Sequence, residues 1–462
     1  MLSYNPNADN NKSASVLFEV KKMKLRLNSL QYLAIGFALI ILTGAFLLWL
    51  PVANHVGLSF LDALLTATSA TCVTGLVATD TATSFTLFGQ IVIILLIQIG
   101  GLGFMMVGIL FSMLMRRRIG LRQRLYMRDS IGSPYVSGIV RMTKHVLMAV
   151  AVIEGSGAII LSTQFVPRFG LAMGIWCGIF HAISSFCNAG FDLLGTISPY
   201  CSLVPYQSNP VVIITIGSLI ILGGLGFFLW NDIGQKKLHF SKYSLHTKIM
   251  LVGTFILVFG GAGLFLITER DAAFKGMDTG TRLLSAFFQS VTARTAGYNS
   301  CDQAAMSSAG ALLTIILMFV GAGPGSTGGG VKVTNVAVLF FGVRAKILNR
   351  KGVSTFKRTI DDESSETASL NVTLYLILAI TGSMIVCLQG FSIRDSFYEV
   401  FSAIGTVGLT MGITRSLNVL SKLVIICLMY LGRVGSLSVA IAVMPHRDTT
   451  SHMKFPTEKI IL

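Results

Sequence analysis

Four short phrases of small residues, each ending in glycine, carry the chemistry this sequence can do. They are Thr68-Ser69-Ala70-Thr71-Cys72-Val73-Thr74-Gly75-Leu76, Ser184-Ser185-Phe186-Cys187-Asn188-Ala189-Gly190-Phe191, Val291-Thr292-Ala293-Arg294-Thr295-Ala296-Gly297-Tyr298 and Ser402-Ala403-Ile404-Gly405-Thr406-Val407-Gly408-Leu409. Gly75, Gly190, Gly297 and Gly408 recur at intervals of 115, 107 and 111 residues. What such phrases offer is backbone. Carbonyl oxygens brought into a ring can replace the hydration shell of a cation. Glycine takes the positive-φ conformations that aim successive carbonyls one way without steric cost. A single copy reads as a turn. Four copies at near-even spacing read as four equivalent walls of a cation pathway built from one polypeptide.

Each phrase follows an apolar run of about a dozen residues, at 59–71, 174–186, 281–293 and 395–405. Runs of that length are too short to cross a bilayer and read as re-entrant segments. Longer runs, suited to spans of about 20 residues, flank them at 31–52, 88–115, 144–164, 209–231, 246–268, 308–343, 369–389 and 418–444. With 53% hydrophobic and only 12% charged residues, against about 25% charged in soluble domains, the chain belongs in a membrane. The expected fold is an all-α polytopic membrane protein. Four tandem helix–pore-loop–helix units, eight spans plus four re-entrant pore helices, would stand with pseudo-fourfold symmetry around one pore. The expected boundaries are an N-terminal segment at 1–30, units at 31–130, 131–240 and 241–360, and a fourth unit with the C-terminal tail at 361–462.

The net charge of +16 does not point to nucleic acid, because the basic residues fall in alternate loops. One side holds Lys21, Lys22, Lys24, Arg26, Arg116, Arg117, Arg118, Arg122, Arg124, Arg128, Lys236, Lys237, Lys242, Arg344, Lys346, Arg350, Lys351, Lys357 and Arg358. The other, with Asp80, Arg168, Asp192, Asp302, Arg394, Asp395 and Arg415, is sparse and mixed. The positive-inside rule then puts both termini in the cytoplasm and the glycine loops outside. No signal-peptide cleavage site precedes the first span. Seven cysteines show no CxxC spacing; Cys201 and Cys301 fall in outer loops, where a bridge stays open.

A second motif interrupts the last span of the third unit: Gly321-Ala322-Gly323-Pro324-Gly325-Ser326-Thr327-Gly328-Gly329-Gly330-Val331-Lys332. Glycine and proline at that density cannot continue a helix, yet apolar residues flank the stretch on both sides. The reading is a helix broken at membrane depth, which is tolerated where backbone lines a cavity. A phosphate-binding loop does not fit, since no Gly-Lys-Ser/Thr ends the run and no strand precedes it. Arg433 is an ionisable residue inside the last span, functional by default; Lys332 either shares its role or snorkels. Glu154 is a second intramembrane charge, whose simplest task is to neutralise a basic neighbour. Arg294 stands within the third phrase, and a guanidinium facing a cation path would repel it, so it is expected behind the loop, toward neighbouring carbonyls. His181 reads as a structural hydrogen-bonder. Neither paired carboxylates, a nucleophile elbow nor HExxH supports catalysis.

On these residues the chain resembles the Trk/Ktr/HKT superfamily of potassium transporters. It is most similar to the Ktr-type (KtrB-like) membrane subunit. Phe60-Leu61-Asp62-Ala63 with the first phrase, and the stretches 181–192, 288–299 and 399–412, match its pore signatures. The resemblance implies potassium uptake, with the ion coordinated at a selectivity filter by Val73, Thr74, Gly75, Asn188, Ala189, Gly190, Thr295, Ala296, Gly297, Thr406, Val407 and Gly408. It implies a gate at Gly321, Gly323, Pro324, Gly325, Ser326, Thr327, Gly328, Gly329, Gly330, Lys332 and Arg433. A single glycine per phrase departs from the TVGYG filter of tetrameric channels, which puts strict exclusion of sodium in doubt. The resemblance further implies a homodimer in a bacterial cell membrane on a cytosolic KtrA-like nucleotide-binding ring. The chain itself binds no cofactor, and nucleotide acts only through the partner. Sodium dependence stays open, with no site nameable. The alternative is an alternating-access secondary transporter for another cation or solute, which would call for inverted repeats.

Overall fold

A computed structural model describes residues 29–103, 138–237, 239–350 and 352–443, with three isolated positions between 104 and 137. The N-terminal basic segment, the arginines at 116–128 and the C-terminal tail lie outside the described residues.

The helices α1 (Ser29–Trp49), α2 (Phe60–Thr71), α3 (Thr81–Ser84) and α4 (Leu87–Leu102) come first. They are followed by α5 (Ile139–Phe169), α6 (Leu171–Phe186), α7 (Pro210–Leu225) and α8 (Phe227–Lys236). Next, α9 (Leu245–Phe255) runs through a π-helical turn at Ile256–Gly260 into α10 (Gly261–Thr268). Then come α11 (Thr279–Thr292), α12 (Ser308–Phe319) and α13 (Val333–Ile347). An antiparallel hairpin of β1 (Val353–Thr355) and β2 (Arg358–Ile360) leads to α14 (Asp362–Cys387), α15 (Ile393–Ile404), α16 (Val419–Val434) and α17 (Ser436–Val443).

Among the described residues four segments are long and apolar enough to cross a membrane, α1, α5, the α9–α10 span and α14, with the bent pair α7–α8 a fifth if it counts as one span. Each of the four is followed by a short helix of 12 to 16 residues: α2, α6, α11 or α15. Side chains such as Leu39, Ile159, Ile267 and Leu388 project outward from the long helices and are exposed, as hydrocarbon surroundings demand. Lipid tails give helices no hydrophobic reason to associate, so close packing of small residues and polar contacts must hold them together. Three of the short helices begin on oxygen caps, while α6 starts from Gly170 without a side-chain cap. Ser59 accepts from the Asp62 amide, Asp278 from Gly280 and Thr281, and Ser392 from Asp395, satisfying donors that would otherwise be orphaned.

Three of the apolar runs that follow a glycine loop depart from the sequence expectation. The apolar runs 88–115, 209–231 and 418–444 read as continuous spans, yet they break at Gly103, Gly226 and Gly435, with φ of 83°, 95° and 98°. Helices α7 and α8 meet at 90°. In the third unit the break is the longer loop 320–332, as expected from its composition. The physical reason is proximity. A Cβ on Gly100, Gly223 or Gly432 would run into the carbonyl of Thr71, Phe186 or Ile404 respectively. Each of these second helices thus lies directly against the C-terminus of its unit's short helix.

Polar contacts join consecutive segments all the way round. The Trp176 indole donates to Gln90 Oε1 (2.8 Å), and Tyr298 Oη donates to the Phe191 carbonyl (2.9 Å). Arg394 donates to the Met306 carbonyl (2.9 Å), and Lys422 pairs with Asp62 (2.6 Å), 360 residues away in sequence. Such contacts contribute roughly 0.6–2 kcal/mol each in a membrane.

Candidate functional site

The four glycine phrases share one backbone conformation. Gly75, Gly190, Gly297 and Gly408 have φ of 96°, 69°, 81° and 97°, and the residues two positions earlier are left-handed as well. Those residues are Val73 (52°), Asn188 (59°), Thr295 (103°) and Thr406 (51°). Positive φ is rare outside glycine, and for β-branched Val and Thr it is a genuine outlier. Strain of this kind persists only where the surroundings over-determine it, and it clusters at functional sites. Here it occurs four times at the same place.

The surroundings are the carbonyl-rich ends of the short helices and the hydroxyls beside them. The amides of Thr74, Ala189 and Val407 donate to the carbonyls of Ser69, Ser184 and Ser402, each at 2.8 Å. Ser69 Oγ accepts from Gly75 N (2.9 Å) and Ser402 Oγ from Gly408 N (3.0 Å). Ser184 Oγ donates to the Phe191 carbonyl and Thr292 Oγ1 to that of Tyr298, both at 2.8 Å. These hydroxyls were not singled out from the sequence. Their signal was there, since Ser69, Ser184 and Ser402 each stand six residues before their glycine.

The loops also touch each other in a closed cycle. A Cβ on Gly75 would lie 2.7 Å from the Ala189 carbonyl oxygen. One on Gly190 would lie 2.5 Å from that of Ala296. One on Gly297 would collide with the Val407 carbonyl, and one on Gly408 with that of Thr74. Each glycine therefore abuts the residue before the next glycine, and the fourth returns to the first. Asn188 strengthens one joint, its amide oriented so that the oxygen accepts from Thr295 Oγ1 (2.9 Å) while the nitrogen donates to the Ser185 and Ile220 carbonyls. Every filter residue expected from the sequence lies in these loops.

On one side of the cycle the four glycines line a cavity of about 370 Å³, together with Asp80, Asp192, Tyr200 and Arg415. Asp80 accepts from Ala82, Thr83 and Tyr200 amides at 2.9–3.0 Å, and the Arg415 guanidinium lies 4.0 Å from the Tyr200 ring centre. Asp192 keeps partial access to this cavity. Burial pushes its carboxyl up to about 7, against the Leu194 amide it accepts and with reinforcement from Asp80.

On the other side lies the broken helix. The loop 320–332 is wired to segments far apart in sequence. Gly323 N donates to Gly224 O (2.9 Å), and Thr327 Oγ1 to the Phe186 carbonyl (3.1 Å). Gly329 N donates to Thr406 Oγ1 (2.9 Å), one of the strained loop residues. Arg433 donates to the carbonyls of Thr327, Gly100 and Gly101, and Lys332 Nζ folds back onto Gly328 O (2.8 Å). Pro324, Gly325, Ser326, Gly330, Lys332 and Arg433 border a second cavity of about 290 Å³. The expected gate residues are thus brought together beneath the glycine loops.

Other sequence candidates resolve plainly. Arg294 points away from the glycine cycle toward the Gly321 carbonyl (3.4 Å). Among the described residues Glu154 does not pair with a basic neighbour; its partner is the Gln98 amide (3.1 Å), and both side chains sit on apolar helices. His181 Nδ1 pairs with the Cys177 carbonyl (2.8 Å). Cys201 and Cys301 are free thiols.

A multi-pass helical protein of this sequence has known counterparts among cation transporters. A family model described as "Cation transport protein" (TrkH) matches residues 28–451, and the chain belongs to that family. It is 42% identical to the Potassium/sodium uptake protein NtpJ of Enterococcus hirae, over 96% of this chain and 99% of that one. It is 38% identical to the Ktr system potassium uptake protein B of Bacillus subtilis, over 93% and 96% of the two. The fold is similar to that of the crystallised potassium transporter TrkH from Vibrio parahaemolyticus, with a TM-score of 0.72 at 16% identity, over 92% of this chain and 86% of the other.

Proposed function

We propose that the chain takes up potassium across a bacterial cell membrane through a filter made by its four glycine loops. The closed cycle of glycine-to-carbonyl contacts carries this reading. Four short helices direct carbonyl ends at one place, where their dipoles favour a cation, and the loops there offer backbone oxygen. The named activities of the Enterococcus and Bacillus relatives support potassium as the ion. Val73, Thr74 and Gly75, with Asn188, Ala189 and Gly190, Thr295, Ala296 and Gly297, and Thr406, Val407 and Gly408, are the coordinating residues. The four units at 31–130, 131–240, 241–360 and 361–462 then surround one path with pseudo-fourfold symmetry. The membrane potential drives uptake at about 2.3 kcal/mol per charge per 100 mV.

The loop 320–332 is the gate, latched by Arg433 and Lys332 on its carbonyls. With termini and basic loops in the cytoplasm, two copies of the chain dock on a cytosolic nucleotide-binding ring, which opens the latch. Sodium accompanies or assists the flow, in line with the name of the Enterococcus relative.

The test is potassium-dependent growth of a bacterial strain stripped of its own potassium transporters. Expression of the intact chain with its regulator should restore growth at low potassium. Failure to restore uptake, with the protein present in the membrane, refutes the reading.

Asp192 adds a pH dependence. Its carboxyl is ionised above about 7 and then lends negative potential to the outer cavity; below that pH it is neutral. Apparent potassium affinity should fall as external pH drops through 7, and Asp192→Asn should flatten the profile at the weaker level. An unchanged profile in the variant would remove Asp192 from the pathway.

A further inference from the structure

Behind the third glycine loop lies a small cavity distinct from the two large ones. Its volume is about 10 Å³, and Asn188, Gly224, Thr254, Val258, Arg294 and Ala322 are among the residues that line it. Arg294 and Thr254 are both 8% exposed. Arg294 spends Nη2 on the Gly321 carbonyl, but its Nε finds no acceptor and Thr254 Oγ1 finds no partner. Among the described residues the ion pairs are Lys236 with Asp232 and Lys422 with Asp62, so no carboxylate answers the Arg294 charge. The carbonyl ends of α11 offer it partial negative charge. Buried donors and hydroxyls are nearly always satisfied, by protein or by ordered water.

The geometry points to one internal water molecule in this cavity, accepting from Arg294 Nε–H and hydrogen-bonded to Thr254 Oγ1. About 10–15 Å³ of this kind of volume admits a single water, provided the site supplies two to four polar partners. Ile220, Ile221 and Val291 complete the wall and leave no place for a second. The position gives the water a task. Arg294 stands between the third glycine loop and Gly321, where the broken helix begins, while Thr254 stands on α9 just before the π-helical turn. Turns of that type mark functional places in helices. The water ties α9 to the joint between filter and gate loop, making Arg294 and Thr254 positioning residues.

A density map of the intact protein in lipid nanodiscs, fine enough to show ordered water, tests this. One peak should lie within hydrogen-bond distance of both Arg294 Nε and Thr254 Oγ1. It should be lost in Thr254→Val and kept in Thr254→Ser, which retains the hydroxyl. An empty cavity in the wild-type protein, or a peak that survives in Thr254→Val, overturns the proposal. So does anomalous signal at the peak from crystals grown in bromide, which would make it an anion site. Should Thr254→Val fail to fold, the wild-type and Thr254→Ser maps decide. The water site does not depend on the ion carried: a chain that holds this water but moves no potassium would sink the transport reading alone.

Discussion

Gly408→Ser should cost the protein most of its preference for potassium over sodium. Gly408 has φ of 97°, and a Cβ there collides with the Thr74 carbonyl and sits 2.9 Å from the Gly75 Cα. The backbone strain alone costs about 1–3 kcal/mol, and the collision pushes apart the joint that closes the cycle. At 1.4 kcal/mol per factor of ten, a loss of roughly 10- to 100-fold in potassium half-saturation or selectivity follows. Competition between potassium and sodium in uptake assays measures it. Gly57→Ser is the matched control, because Gly57 also has positive φ but nothing within 4 Å of a Cβ. Equal effects at the two glycines would mean that positive φ matters and the cycle does not.

Arg433→Gln should open the protein. The guanidinium holds the Thr327, Gly100 and Gly101 carbonyls together, joining the loop 320–332 to the end of α4. Hydrogen bonds to a charged group contribute about 1.5–3 kcal/mol each, so losing one or two shifts the latch by roughly tenfold or more. Flux through the purified chain in liposomes, without its regulator, should rise about tenfold on that ground. Removing residues 323–328 should raise it further, because that also removes the Gly323, Thr327 and Gly325 bonds to the α7–α8 corner and its surroundings. Lower flux in either variant, with normal folding and expression, would make the loop a structural brace.

The sequence disclosed the four glycine loops because small residues recur at a fixed period, and their short helices because 12 to 16 apolar residues cannot span a bilayer. It disclosed the break at 320–332 because six glycines and a proline within a dozen residues destroy any helix. The breaks at Gly103, Gly226 and Gly435 were hidden. One left-handed glycine leaves an apolar run looking continuous, and hydropathy cannot register a single φ. The repeated words Gly100-Gly101-Leu102-Gly103-Phe104 and Gly223-Gly224-Leu225-Gly226-Phe227 were the available clue, and their meaning lies in how closely a neighbouring carbonyl approaches. The wiring was also beyond the sequence. Arg433 meets Gly100 across 333 residues, and spacing carries no information about such a pairing. Glu154 shows the same limit: its burial was legible, but its Gln98 partner was set by how α4 and α5 pack.

The most direct measurement is to locate a bound ion. Crystals of the intact protein grown with thallium, a potassium substitute with strong anomalous scattering, should show a peak inside the cycle, bounded by the carbonyls of Thr74, Ala189, Ala296 and Val407. Excess sodium should lower that peak less than equal potassium does. A cycle that stays empty while thallium binds elsewhere in the membrane region would contradict a filter built from these four loops.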